Sequence, residues 1–231
     1  MPRVVFALLC LGMAGCAART PPPRPAAIVE VAPAPAGWRA MATVADQQRI
    51  DQLPASWSRA LAGVPKRAQP RLQAEAELVD PAAARDLPAP PPGPYRCRLV
   101  RFGGRAAIAT FAPDFCYVDG DSQRLSFTKQ TGSNLPGGWL YADGNTRLVF
   151  LGALPRAGTS DVPLYGSDAR QDVSGVLERV SAFRWRLVLT RAGRGAMLDV
   201  YELVPVTPEV PGATPAVPAK DRQTAMAARA G

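Results

Sequence analysis

The 231-residue chain carries 27 lysines and arginines against 19 aspartates and glutamates, with no histidine, for a formal charge of +8. The missing imidazole excludes the Ser-His-Asp triad, the Cys-His nucleophile pair and any metal site that needs a histidine ligand. The positive balance is weak evidence for a nucleic-acid partner, because the only lysines are Lys66, Lys129 and Lys220 and the arginines are spread singly, with no basic stripe.

The chain opens on Met1-Pro-Arg3 and an apolar run from Val4 to Ala14. A basic start, an apolar core too short to span a bilayer and small residues at its C-terminal edge predict a signal peptide over 1–15. Met13-Ala-Gly-Cys16 resembles a bacterial lipobox, in which the cysteine is lipidated and becomes the first mature residue, although methionine stands where leucine is usual. The alternative is an ordinary signal whose cysteine falls there by chance; small residue, glycine and cysteine together at the edge of the run favour lipidation of Cys16. Each buried methylene contributes about 0.8 kcal/mol, so several acyl chains would hold the protein on a membrane essentially permanently. Ala17 stands where an aspartate retains such lipoproteins in the inner membrane, so the expected location is the outer membrane, facing the periplasm, or the periplasm itself if Cys16 is not lipidated.

Residues 16–37 read as a lipidated cysteine and a Pro/Ala-rich stalk that includes Pro21-Pro22-Pro23. A short helical segment is expected within 38–88. Leu53, Trp57, Leu61 and Val64 recur at helical spacing, and Pro54 is tolerable in a first turn. A second candidate begins near Pro70, with Leu72, Ala76 and Val79 on one face and Glu75 and Glu77 turned away. Such short helices need a larger body to dock on, and Trp57 is the natural docking residue.

After Leu87-Pro-Ala-Pro-Pro-Pro-Gly-Pro94 the period changes to two. Tyr95, Cys97 and Leu99 alternate with Arg96, Arg98 and Val100; Phe183, Trp185, Leu187 and Leu189 alternate with Arg184, Arg186, Val188 and Thr190; Leu198, Val200 and Val204 oppose Asp199, Tyr201 and Leu203. Turn residues lie at Asp119-Gly120, Ala142-Asp-Gly-Asn145 and Ala192-Gly-Arg-Gly195. The pattern predicts about eight or nine strands, near 95–102, 106–111, 115–119, 124–129, 138–142, 146–152, 174–190 as a hairpin, and 197–204. The fold class is mainly β: a small antiparallel β-barrel or sandwich of lipocalin-like size, spanning 93–206 and preceded by the helical segment. Residues 207–231 return to proline and alanine and are expected to be disordered.

With Cys10 lost with the signal and Cys16 lipidated, Cys97 and Cys116 are the thiols left in an oxidising compartment, and they are expected to pair. A redox role lacks the CxxC spacing.

Residues 92–205 resemble an uncharacterised bacterial secreted protein or lipoprotein family, a DUF4893-like domain of unknown function. The resemblance rests on Gly-Pro-Tyr-Arg-Cys-Arg at 93–98, Thr131-Gly-Ser133, Trp139-Leu-Tyr-Ala-Asp143, Arg147-Leu-Val-Phe-Leu-Gly152, Gly175-Val-Leu-Glu-Arg179, Phe183-Arg-Trp-Arg-Leu-Val188 and Leu198-Asp-Val-Tyr-Glu-Leu-Val-Pro205. It implies an address and a fold but brings no activity, cofactor or catalytic residue.

Residue chemistry narrows the rest. Gly120-Asp-Ser122 echoes a serine-esterase block, but Ser122 has no histidine base. Ser126-Phe-Thr-Lys129 matches SxxK in letters only, since positions three apart on a strand point to opposite faces. Asp119 and Asp121 lack the further ligands of a calcium loop. Glu178, Asp199 and Glu202 are candidate acid/base carboxylates if two converge in a cleft, and are otherwise partners for nearby arginines. Arg96, Arg98, Arg184 and Arg186 occupy matched alternate positions and are a possible anion-binding set for lipid phosphate or acidic glycan, or else a solvated barrel face. The expected function is a non-catalytic envelope lipoprotein that binds a small ligand or an envelope protein, with no cofactor, metal or nucleic acid; the alternative is a carboxylate-dependent hydrolase of envelope glycans. A cavity inside the barrel with an open mouth would favour the binder, and two carboxylates facing each other across a groove would favour the enzyme.

Overall fold

The computed structural model describes residues 37–104, 106–190 and 196–207, with Ala196 and Met197 described as backbone alone. The expected signal peptide, Cys16 and the expected stalk before Gly37, the turn expected at 192–195 and the tail from Pro208 lie outside the described residues.

Four short helices come first: α1 (Trp38–Met41), α2 (Val44–Asp51), α3 (Leu53–Ala62) and α4 (Gln69–Ala74), joined by single turns of 3-10 helix at Lys66–Ala68, Ala76–Leu78 and Pro81–Ala83. Thr43 caps α2 by accepting from the Asp46 amide, and Pro54 sits in the first turn of α3, where its missing N–H costs nothing. The expected second helix is shorter than its apolar spacing suggests. It ends at Ala74 because Ala76 adopts φ +42°, so Leu72, Ala76 and Val79 do not form one stripe. The same break corrects the reading of Glu75: it faces the barrel and is buried.

Nine strands follow: β1 (Gly93–Gly103), β2 (Ile108–Thr110), β3 (Asp114–Gly120), β4 (Leu125–Lys129), β5 (Gly137–Asp143), β6 (Arg147–Ala153), β7 (Asp172–Ser181), β8 (Arg184–Thr190) and β9 (Ala196–Pro205). All neighbours are antiparallel in the order β2-β1-β3-β4-β5-β6-β7-β8-β9, and β9 pairs back onto β1 from Tyr95↔Pro205 to Gly103↔Ala196. That last pairing makes the sheet a closed eight-stranded barrel with β2 as an extra strand, and so decides barrel over sandwich. β1 is long enough to serve two partners on its other edge, β3 opposite residues 93–97 and β2 opposite 100–102.

Side-chain alternation then divides the apolar residues into two cores. Tyr95, Cys97, Leu99, Phe127, Phe150, Trp185, Leu187 and Tyr201 point into the lumen. Val100, Phe102, Val149, Leu151, Val176, Val188, Leu198 and Val200 point outward and are covered by Trp38, Ile50, Leu53, Trp57 and Leu78 of the helical segment. Strands β6, β7 and β8 are therefore buried on both faces along most of their length, whereas β3 and β4 alternate because their outer side is bare. Each large side chain buried under the helices contributes about 1.5–3 kcal/mol, which is what stabilises helices too short to persist alone. The Trp57 indole N–H donates to Val79 O at 3.0 Å, so Trp57 is the docking residue expected of it. Among the described residues, no helix is long and apolar enough to cross a membrane.

Candidate functional site

The outer face of β8, β9 and β1 carries the four arginines singled out from the sequence. Their shared face follows from register: Arg98 and Arg186 both lie opposite Glu202 of the strand between them, and Arg96 lies opposite Val204. The structure then gives them different surroundings. Arg98 bonds the Glu75 carboxylate at 2.7 and 2.9 Å and Glu202 at 2.7 Å, and Arg184 bonds Glu202 at 2.5 Å. Glu75, Arg98, Glu202 and Arg184 thus form an alternating chain between helical segment and barrel wall. Arg186 is fully buried. It pairs with Glu178 at 2.7 Å and donates to the carbonyls of Glu77, Leu78 and Asp80 at 3.1, 3.1 and 2.6 Å, with its guanidinium 4.5 Å from the Trp57 ring centroid. Of the four, Arg96 is the exposed one.

The electrostatics follow from these contacts. The Glu75 hydrogen bond, opposed by burial and joined by Glu202, holds the Arg98 guanidinium above its ordinary range. Burial works against ionised Glu75, but Arg98 and Thr110 outweigh it and leave its carboxyl below the usual range. Burial pushes Arg186 down, with Glu178 supporting its charge.

The candidate acid/base carboxylates do not converge. Glu178 and Glu202 are on the outer face, held by Arg186 and by Arg98 and Arg184, while Asp199 alternates to the lumen side, where it bonds Arg101 at 2.6 and 2.7 Å. Ser126 and Lys129 also separate: Ser126 lies opposite Asp119 and Trp139 on the outer wall, and buried Lys129 bonds Asp114 at 2.7 Å and the Thr131 and Ser133 carbonyls at 2.5 and 2.9 Å. Asp121 accepts from the Gln123 and Arg124 amides, which is turn chemistry, and Ser122 lies in that turn. Cys97 and Cys116 are bonded, with Cα atoms 5.8 Å apart.

The lumen is occupied. Tyr95, Phe127, Phe150, Trp185 and Tyr201 are all buried within it; Tyr95 and Trp185 meet edge to face at 6.0 Å, as do Phe127 and Phe150. The Tyr95 hydroxyl donates to Pro91 O at 2.6 Å, and burial pushes its pKa up to about 12.

Two features escaped sequence reasoning. Asp46, fully buried on α2, accepts from Tyr165 at 2.6 Å, Thr43 at 2.7 Å and Arg49 at 2.5 Å, pinning the helix to the β6–β7 connection. Thr43 and Asp46 stand three apart at a helix start, the spacing of a capping box, which was the available signal. The second is the wall over β3, β4 and the Trp139 end of β5, bare among the described residues, where Phe115, Tyr117 and Trp139 are exposed. Its signal was an aromatic alternation, Phe115 and Tyr117 out of phase with lumen-facing Cys116 and Val118.

No curated protein and no solved structure matches the chain. A family model does match residues 38–203, taking in the helices and nearly all of the barrel, and by that match the chain belongs to the family described as a domain of unknown function, DUF4893.

Proposed function

We propose that this protein is a non-catalytic binding module of the bacterial cell envelope, tethered by lipid on Cys16, which uses its barrel as a rigid platform and meets its partner with its outer surface. The observation that carries the reading is the filled lumen: Tyr95, Phe127, Phe150, Trp185 and Tyr201 take the space that a lipocalin-like small-ligand site would need. The arginine-bound state of Glu178, Asp199 and Glu202 supports a non-catalytic role in the same sense, because an acid/base pair needs two carboxyls facing one substrate. Met13-Ala-Gly-Cys16 supplies the argument for the tether.

Mass spectrometry of the protein purified from its own host tests both parts. Under denaturing conditions the polypeptide should begin at Cys16 and carry acyl mass. Under native conditions, the same preparation should hold no small molecule that denaturation releases. A retained small ligand would overturn the platform reading, and an unmodified Cys16 would overturn the tether.

A further inference from the structure

Among the described residues the helical segment leaves uncovered the outer faces of β3 and β4 and the Trp139 end of β5, whereas Tyr141 further along β5 packs against the helix-covered core, and register arranges the uncovered side chains in rows. Val204, Arg96 and Phe115 form one; Pro94, Tyr117 and Thr128 the next; Asp119, Ser126 and Trp139 the third. Phe115 is 52% exposed, Tyr117 39%, Trp139 38% and Val204 38%. Arg124 stacks over the Trp139 indole at 3.7 Å and so sets a cation beside it. Among the described residues neither Arg124 nor Arg96 has a carboxylate partner, whereas Arg98, Arg101, Arg184 and Arg186 do.

We propose that this wall binds a carboxylate-bearing polysaccharide; the proposal rests on the platform reading and names its partner. A pyranose ring has an apolar C–H face that packs on an aromatic ring and a rim of hydroxyls that needs hydrogen-bond partners. Phe115 and Tyr117 supply rings, and Trp139 the part of its indole that Arg124 leaves exposed, while Thr128, Ser126 and Asp119 lie between and beside them. Tyr117 and Trp139 stand on strands separated by β4, about 10 Å apart across the sheet, so successive parts of one extended chain can reach both. Arg96 and Arg124 at opposite ends of the wall meet the carboxylates.

Size and charge favour this occupant over a protein or a bilayer. Aromatic side chains present about 150–250 Å² each, so the exposed apolar area of the wall is about 350 Å². That is less than half of the roughly 800 Å² per side of a stable protein interface, yet within the roughly 300–600 Å² of the largest apolar patch on a typical monomer, which is often functional. Two cations offset by Asp119 are too few for a bilayer surface, where each basic residue contributes about 1 kcal/mol.

The test uses the full chain carrying Cys16→Ser, with polygalacturonate, dextran, and phosphatidylglycerol/phosphatidylcholine vesicles as probes. Polygalacturonate should bind saturably and more weakly as salt rises, and dextran should bind at least tenfold more weakly. Tyr117→Ala with Trp139→Ala should cost tenfold or more, and Arg96→Gln with Arg124→Gln should weaken binding and flatten its salt dependence. If the aromatic pair loses its fold, the arginine pair decides alone. The proposal is overturned by no saturable binding to polygalacturonate, by equal binding of dextran, by unchanged affinity in folded variants, or by binding to vesicles and not to polysaccharide. A polysaccharide failure with a ligand-free native mass spectrum removes the glycan alone; a ligand retained in the lumen removes the platform as well.

Discussion

Arg186 on β8 lies directly opposite Glu178 on β7, and the pair is closed from solvent by the chain from Glu77 to Pro81. Removing one member of such a pair leaves a buried charge without compensation, which costs about 3–5 kcal/mol. Arg186→Met should therefore destabilise by that amount in urea unfolding. Replacing both residues by methionine should recover only part of the loss, because the carbonyls of Glu77, Leu78 and Asp80 would still lack their donor. A single-variant loss under 1 kcal/mol would show that the helical segment does not depend on this arginine.

Glu75 and Asp46 set the expected response to acid. Burial opposes ionisation of Asp46, but the hydrogen bonds from Tyr165 and Thr43 and the charge of Arg49 leave it below its ordinary value of 3.8; Glu75 is likewise held below 4.5. A carboxyl depressed in the folded state contributes stability in full above its ordinary value and loses it as pH falls through the folded value. Asp172, raised chiefly by burial, works in the opposite sense and softens the slope. Stability measured by thermal melts should fall below about pH 4.5, and Glu75→Gln should flatten that fall while lowering stability at pH 7. Parallel pH curves for variant and parent would contradict the assignment.

The disulfide joins β1 to β3 where their shared ladder ends, at Cys97↔Asp114, before β1 turns to β2 as partner. Closing a loop of 19 residues contributes about 3 kcal/mol in the chain-entropy model. Cys97→Ala with Cys116→Ala should lower stability by about that much, and amide exchange should accelerate first along β3. Alkylation of the native protein without reductant should modify neither cysteine. Two adducts would mean the bond is absent in solution.

The strands were legible because period-two alternation is local: each predicted strand matches an observed one to within about two residues at either end, save where the 174–190 hairpin divides at its turn. Closure was not legible, since it depends on β9 returning to β1 about a hundred residues earlier. The arginine face shows the same division. That Arg96, Arg98, Arg184 and Arg186 share a face follows from alternation, but what covers them comes from Glu75 and the 77–81 turn, which no local pattern places there. Glu75 itself was misread because helical spacing was extended through Ala76, whose positive φ turns the chain back.

Two glycines test whether space or backbone conformation is the stricter demand of this barrel. Gly138 and Gly152 are cross-strand partners, and a Cβ on Gly138 would lie 2.4 Å from both Gly152 Cα and Leu151 O, backbone atoms that cannot step aside. Gly144, in the β5–β6 turn, has nothing within 4 Å of its would-be Cβ, but its φ is +75°. Gly138→Ala should destabilise by about 1–3 kcal/mol through overpacking, and Gly144→Ala by about 1–2 kcal/mol through left-handed strain. Asparagine separates the causes. It tolerates the left-handed region, so Gly144→Asn should recover most of the loss seen with alanine, while at Gly138 its larger side chain should deepen the loss. Urea midpoints of the four variants decide the matter: equal responses to asparagine at both sites would mean that β5 and β6 can part to admit a side chain.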